Sequence, residues 1–244
     1  MTEAFDATPL IRKLETIFAL SDDEKNALQS ISGTVKTLDA RQDIVCEGDR
    51  PSACCRLLNG FACRYKLTHD GKRQIISFHI PGDIPDLQCL HLDVMDHSVG
   101  TLARSRLVFL THDTVRDLIR RCPRIGDAFW RETLIDASIF REWELNLGRR
   151  EAYGRIAHLL CELYVRLQSV GLTNGHAYEL PLTQAELGDA LGITPVHVNR
   201  TLQDLRGEGL ITLHAGSVTV LDWERLKEAG EFDPTNLHLR KEAA

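Results

Sequence analysis

Between Thr194 and Gln203 the chain carries Val196, His197, Asn199, Arg200 and Gln203, an order of side chains suited to reading the edges of base pairs. Asn and Gln can each make paired hydrogen bonds to adenine, Arg can do the same to guanine, and a valine side chain suits a thymine methyl. The five share an outward face if the segment is a helix, because Val198, Leu202 and Leu205 recur at spacings of four and three and must turn inward. Thr194 is a suitable N-cap for that helix. Pro195 fits its first position, where a missing N–H costs nothing and φ is already helical.

A second helix just ahead would hold the first in place. Thr183 followed by Glu186 is a capping box, in which each side chain satisfies a free backbone N–H. Leu187, Ala190 and Leu191 then fall on one face, and Gly192 suits the left-handed conformation that ends a helix. Residues 182–211 therefore read as a helix-turn-helix. Gly207 and Gly209 end its second helix, and ITLHAGSVTVLD alternates as two strands about a turn at 214–217, which adds a wing. Asp222 caps a last short helix, WERLKEAG, and residues 231–244 read as a loose tail.

Composition bounds the partners. The 244 residues are enough for two ordinary domains with real cores. A formal net charge of −6 opposes a nucleic-acid partner, since neutralising phosphates supplies much of that affinity. A local basic face outweighs net charge, and Arg149, Arg150, Arg155, Arg200 and Arg206 are candidates for it. The seven cysteines include no C-x-x-C pair, which argues against a disulfide framework and a zinc finger; most read as core residues. No apolar run is long enough to span a bilayer and the N-terminus lacks a signal-peptide pattern, so a cytoplasmic location without membrane attachment is expected.

Ahead of the helix-turn-helix, PLIRKLETIFA and SDDEKNALQSI read as two short helices, the second opened by a Ser21–Glu24 capping box. Turn signals at Gly48-Asp49, Asn59-Gly60, Asp70-Gly71 and Pro81-Gly82 then separate short apolar runs, the pattern of an antiparallel β-roll or jelly roll. THDTVRDLIRRC is a short helix stopped by Pro123. Residues 124–147 form one long helix with two adjacent apolar faces, Ala128, Ile135 and Ile139 on one and Phe140, Trp143 and Leu147 on the other. Two faces call for two partners: the β-roll and a second copy of the same helix, or complete burial within one subunit. REAYGRIAHLLCELYVRLQSVG is a further amphipathic helix, with Ile156, Leu159, Leu160, Leu163 and Leu167 on one side. The expected fold class is α+β, with helices and a sensory β-roll in 1–123, a dimerisation helix in 124–147, a winged helix in 148–230 and a tail in 231–244.

This order of parts, with GRIAHLL at 154–160, LTQAELGDALGIT at 182–194 and NRTLQDLRGEGLI at 199–211, resembles the Crp/Fnr superfamily of bacterial transcription regulators. The resemblance implies a non-enzymatic homodimer joined through the long helix, a sensory β-roll, double-stranded DNA with a near-palindromic site as partner, and contact with RNA polymerase. It implies that Arg200 reads a guanine, that Thr183 and Gln184 touch phosphates, and that Thr194, Val196, His197, Asn199 and Gln203 line the DNA. Pro195 and Val196 stand where an arginine or glutamate commonly reads bases. A valine cannot accept a hydrogen bond from a cytosine amino group, so the half-site is expected to differ from those of the best-known members.

For the sensor, the resemblance points to the turn of Gly82, Asp83, Ile84 and Asp86 as the effector pocket. Cyclic-nucleotide-binding members place an arginine about ten residues after this turn to clamp the phosphate. Here no Arg or Lys occurs between Leu87 and Ala103, and Asp86, Asp93 and Asp96 would repel an anion, so cyclic AMP is not the expected effector. The cysteine cluster of iron–sulfur members is absent, the first cysteine being Cys46. Cys89, His91 and His97 offer soft and imidazole ligands for a metal or haem, but their spacing favours ordinary loop or core residues, and the cofactor stays unassigned. Adjacent Cys54 and Cys55 should point to opposite faces of a strand. Two rival readings are a cupin-type enzyme, which lacks its His-x-His cluster here, and a winged helix that binds protein.

Overall fold

The computed structural model describes residues 5–240 and the backbone of Thr2 and Glu3. Its contacts divide the chain into two units, one of residues up to 66, 77–137 and from 238 onward, the other of 67–76 and 138–237.

The first unit opens with strand β1 (Thr2–Glu3) and helices α1 (Thr8–Ile17) and α2 (Asp22–Gln29). Leu10, Ile11, Leu14 and Ile17 bury one face of α1. At the start of α2 the Glu24 carboxylate accepts from the Ser21 N–H at 2.7 Å while Ser21 caps Glu24, as the sequence predicts. Strands β2 (Gly33–Leu38), β3 (Asp43–Val45), β4 (Ala53–Asn59), β5 (Ala62–Leu67), β6 (Arg73–His79), β7 (Ser98–Thr101) and β8 (Ser105–Thr111) follow. They form two four-stranded sheets, ordered β1-β2-β8-β4 and β3-β7-β5-β6. Gly60 turns β4 into β5 at φ +94°, and a Cβ there would lie 2.8 Å from the Arg104 carbonyl oxygen, so only glycine fits. Cys55, Leu57, Ala62 and Leu107 bring both sheets into one core, with Leu38, Ile44 and Phe109 packed against it. This is the expected β-roll.

Helix α3 (His112–Arg121) is capped by Thr111 and followed by α4 (Pro123–Arg149). Pro123 both ends α3 and starts α4, because its missing N–H is harmless at a first helical position. The long helix exceeds the expected 124–147 at both ends, since Gly148 costs only about 1 kcal/mol in a helix and does not stop it. The second apolar face is covered only in part within the single chain. Trp143 is buried, its indole N–H donating to Glu162 at 2.8 Å, while Phe140 is exposed. A buried indole needs an acceptor, and Glu162 one helix later supplies it. The apolar side chains that α4 leaves exposed are Trp130, Leu134, Phe140 and Leu145.

The second unit contains α5 (Ala152–Ser169), the hairpin β9 (Thr173–Asn174) and β10 (Ala177–Glu179), α6 (Gln184–Leu191), α7 (Pro195–Gly207), the wing strands β11 (Ile211–His214) and β12 (Ser217–Val220), and α8 (Trp223–Ala229). Its sheet runs β11-β12-β10-β9, with Ile211 opposite Val220 and Tyr178 opposite Val218. Ile156, Leu159, Leu160, Leu163 and Leu167 of α5 are buried as predicted. Residues 231–240 correct the expectation of a loose tail. Phe232 and Leu237 are buried, and the Arg240 N–H donates to the Thr16 carbonyl at 2.6 Å. Residues 241–244 of that predicted tail lie outside the described residues.

Candidate nucleic-acid interface

The reading face rests on backbone geometry set by a few side chains. Thr183 accepts from the Glu186 N–H at 3.2 Å, and the Glu186 carboxylate accepts from the Thr183 N–H at 2.7 Å, which fixes the start of α6. Gly192 ends it at φ +66°, and the Gly188 site is tighter still, because a Cβ there would lie 2.6 Å from the Ile193 carbonyl oxygen. Thr194 then accepts from the His197 N–H at 3.2 Å and Pro195 takes the first helical position of α7. Val198, Thr201, Leu202 and Leu205 are buried beneath α7.

The opposite face of α7 carries the predicted readers. Val196 is 80% exposed, Arg200 and Gln203 are exposed, and His197 and Asn199 are half-buried. At that exposure Val196 contributes little to packing, which leaves its side chain available to a partner. Thr183, Gln184 and Thr194 are exposed at the two helix starts, where backbone N–H groups favour anions. The Thr183 hydroxyl also donates to Glu186 at 2.9 Å, so its side chain serves the cap first.

The basic set is smaller than the sequence suggests. Arg149, Arg200 and Arg206 are exposed. Arg150 is buried against Glu142 at 2.7 Å and Glu231 at 3.1 Å, and Arg155 donates to the carbonyls of Arg150 and Leu191. Both hold the second unit together and are removed from the phosphate-binding candidates.

In the first unit the turn at Gly82 is packed under α1, where a Cβ on Gly82 would lie 2.9 Å from the Pro9 carbonyl oxygen. Asp83 is buried and accepts from Lys13 at 2.6 Å and from the Ile80 N–H at 3.1 Å. Lys13 also pairs with Glu132. Arg64 is buried too, donating to the Pro85 carbonyl at 2.6 Å and to Asp136 at 2.8 Å. His79 sits between Ser77 at 2.9 Å and Asp83 at 3.2 Å. Burial, reinforced by Arg64, lowers its pKa to about 4, so the ring is neutral, donating from Nδ1 to Asp83 and accepting at Nε2 from Ser77. Asp86 accepts from the Cys55 N–H at 2.7 Å, and burial raises its pKa to about 7. It lines a cavity of about 380 Å³ with Ile44, Asp49, Arg50 and Phe109, whereas Ile84 is half-buried outside the lining of that cavity. Sequence reasoning missed Lys13, Arg64, Glu132 and Asp136 because their partners lie far along the chain.

Cys89, His91 and His97 do not come together. His91 is exposed, and His97 contacts Gln88 and Asp96. Cys89 faces Cys54 and His112 instead.

These features have counterparts in known proteins. Residues 154–229 match the family model of the Crp-like helix-turn-helix domain, and residues 35–122 match that of the cyclic nucleotide-binding domain. The chain is 28% identical over 223 residues to the transcriptional activator protein FnrL of Cereibacter sphaeroides, covering 88% of each. It is 23% identical over 211 residues to the fumarate and nitrate reduction regulatory protein of Vibrio cholerae, covering 86% of this chain and 84% of that one. The solved structure of FixK2 from Bradyrhizobium japonicum superposes with a TM-score of 0.74 at 23% identity, covering 82% of this chain and 98% of that one.

Proposed function

The chain belongs to the Crp/Fnr family of DNA-binding transcription regulators, with a sensor domain ahead of its helix-turn-helix, and from that premise we propose that it acts as a homodimer on a near-palindromic DNA site. The observation that carries this reading is the outward row of exposed Val196, Arg200 and Gln203 with half-buried Asn199, on a helix whose other face is packed. Arg200 reads a guanine in each half-site, and Thr183, Gln184 and Thr194 approach the flanking phosphates. The exposed Trp130 and Leu134 of α4 support pairing with a second copy, which would place the two recognition helices one DNA turn apart. The protein works in the cytoplasm, where it contacts RNA polymerase; no described helix is long and apolar enough to cross a membrane.

The β-roll senses a signal other than cyclic AMP. The cations nearest the Gly82 turn, Lys13 and Arg64, already serve Asp83, Glu132, Pro85 and Asp136, so a phosphodiester entering there would have to break buried ion pairs. Saturable calorimetric binding of cyclic AMP at micromolar concentration would overturn that part. Selection of bound DNA from random fragments tests the main reading. The expected product is a symmetric site whose half differs from those of the best-known members at the base pair under Val196; recovery of no shared sequence would refute the proposal. Sedimentation equilibrium reads the dimer separately.

A further inference from the structure

One cluster in the first unit is used neither by the ion-paired turn nor by the reading face. Cys54 on β4, Cys89 in the 3-10 turn Leu87–Leu90, and His112 at the first position of α3 converge from three separate elements. Cys54 Sγ lies 3.6 Å from Cys89 Sγ, which lies 3.2 Å from His112 Nε2, and all three donor atoms are within 4.8 Å of one another. Both thiols are buried while the imidazole is half-buried, so the cluster is lined by sulfur on the inside and reaches solvent past the histidine. Cys55, the neighbour of Cys54, points into the core on the other side of the strand and takes no part.

The Cys54–Cys89 spacing of 3.6 Å suits a shared cation, and the Cys89–His112 pair at 3.2 Å would need to open by only a few tenths of an ångström to join it. Metal–sulfur bonds of about 2.3 Å and metal–nitrogen bonds of about 2.0–2.1 Å, set at tetrahedral angles, put the ligand atoms roughly 3.5–3.8 Å apart. A pair of sulfurs alone would equally suit a disulfide. The third donor argues for a metal, because a neutral imidazole nitrogen beside two sulfurs completes a soft ligand set.

We propose that Cys54, Cys89 and His112 bind a thiophilic divalent cation of the zinc class, through two thiolates and one imidazole, with a fourth position open to water. Binding releases one proton from each thiol, so the two thiolate charges cancel that of the ion and no net charge is added to a buried site. The ion would fasten the loop after the Gly82 turn to β4 and to the start of α3. The claim concerns binding alone and stands apart from the DNA reading.

The test uses full-length protein, reduced and stripped of metal, titrated first with Co²⁺ and then with Zn²⁺. One Co²⁺ per chain should bind at micromolar concentration, with a sulfur-to-cobalt charge-transfer band and visible bands of tetrahedral cobalt that Zn²⁺ abolishes. Cys54→Ser and Cys89→Ser should each remove about half of the charge-transfer intensity and weaken Zn²⁺ binding at least about a hundredfold. His112→Ala, at a half-exposed position where misfolding is not at issue, should weaken binding while leaving the sulfur band. Cys46→Ser should change nothing. Reduced wild-type protein that binds no Co²⁺, or a band whose intensity is undiminished in Cys89→Ser, overturns the proposal. So does a Cys54–Cys89 disulfide whose reduction restores no metal binding.

Discussion

The outer face of α7 and the turn following β6 use the same kinds of side chain to opposite ends. On α7, Arg200 and Gln203 point into solvent, and among the described residues neither side chain has a hydrogen-bond partner within the chain. Around Gly82, Asp83 is held by Lys13 and His79, Lys13 also pairs with Glu132, and Arg64 pairs with Asp136, in a mostly buried set. A polar row over a well-packed helix has no internal duty, so its meaning lies outside the molecule. A buried charge must be paired, so its meaning lies inside. The first surface is the one proposed to meet DNA, while the second holds the sensor together.

The sharpest way to break this contrast is Arg200→Ala. Each lost paired contact to a base is worth about 1–3 kcal/mol and the proposed dimer would lose two, so affinity for the selected site should fall about thirtyfold or more. The urea midpoint should not move, because Arg200 supports nothing else; a drop in stability would show that the face does have an internal role.

The network predicts the reverse pattern. His79 has a folded pKa of about 4 against an ordinary value of 6.5, so the stability it contributes is fully present above pH 6.5 and is lost as the pH falls through 4. That difference corresponds to about 3 kcal/mol at most. Glu132 is shifted upward by burial and titrates with the opposite sign, so the informative quantity is the difference between wild type and His79→Gln. The glutamine keeps a donor and an acceptor without taking up a proton. Urea denaturation of the variant should lose less stability than wild type between pH 6.5 and 4, with DNA affinity at pH 7.5 unchanged; an identical pH profile would contradict a buried neutral imidazole.

Thr194 lies between the two classes, being exposed yet capping α7. Thr194→Ala should cost about 1 kcal/mol of stability, measured by urea denaturation, along with a modest loss of affinity. The smallest effect belongs to Val196→Ala: stability within about 0.5 kcal/mol of wild type, total affinity little changed, and relaxed preference at one base pair on repeating the selection. Loss of all binding in this variant would mean that Val196 supports the helix rather than the site.

The same contrast governs what was legible in the sequence. The capping pairs Ser21–Glu24 and Thr183–Glu186, the turn at Gly192 and the inward triplet Val198, Leu202 and Leu205 were all readable, since each depends on neighbours within a few residues. Lys13 and Asp83 are 70 positions apart and Arg64 and Asp136 are 72, distances over which one sequence carries no sign of pairing. The partner of Trp143 is hidden for a related reason: periodicity marks an apolar face but cannot tell that Glu162 on the next helix will claim the indole N–H. The tail reads as loose because Phe232 and Leu237 are isolated apolar residues in a polar stretch, and only the folded unit shows what covers them.

The glycine at 188 bears on how such a protein changes over time. With the Ile193 carbonyl oxygen 2.6 Å from where a Cβ would stand, this position accepts no other residue without moving the turn. The geometry that aims α7 is thus held by backbone and caps, apart from the side chains proposed to do the reading. Substitutions at Val196, Asn199, Arg200 and Gln203 can therefore accumulate with little penalty to folding, and a lineage can exchange one operator for another while inheriting the same scaffold.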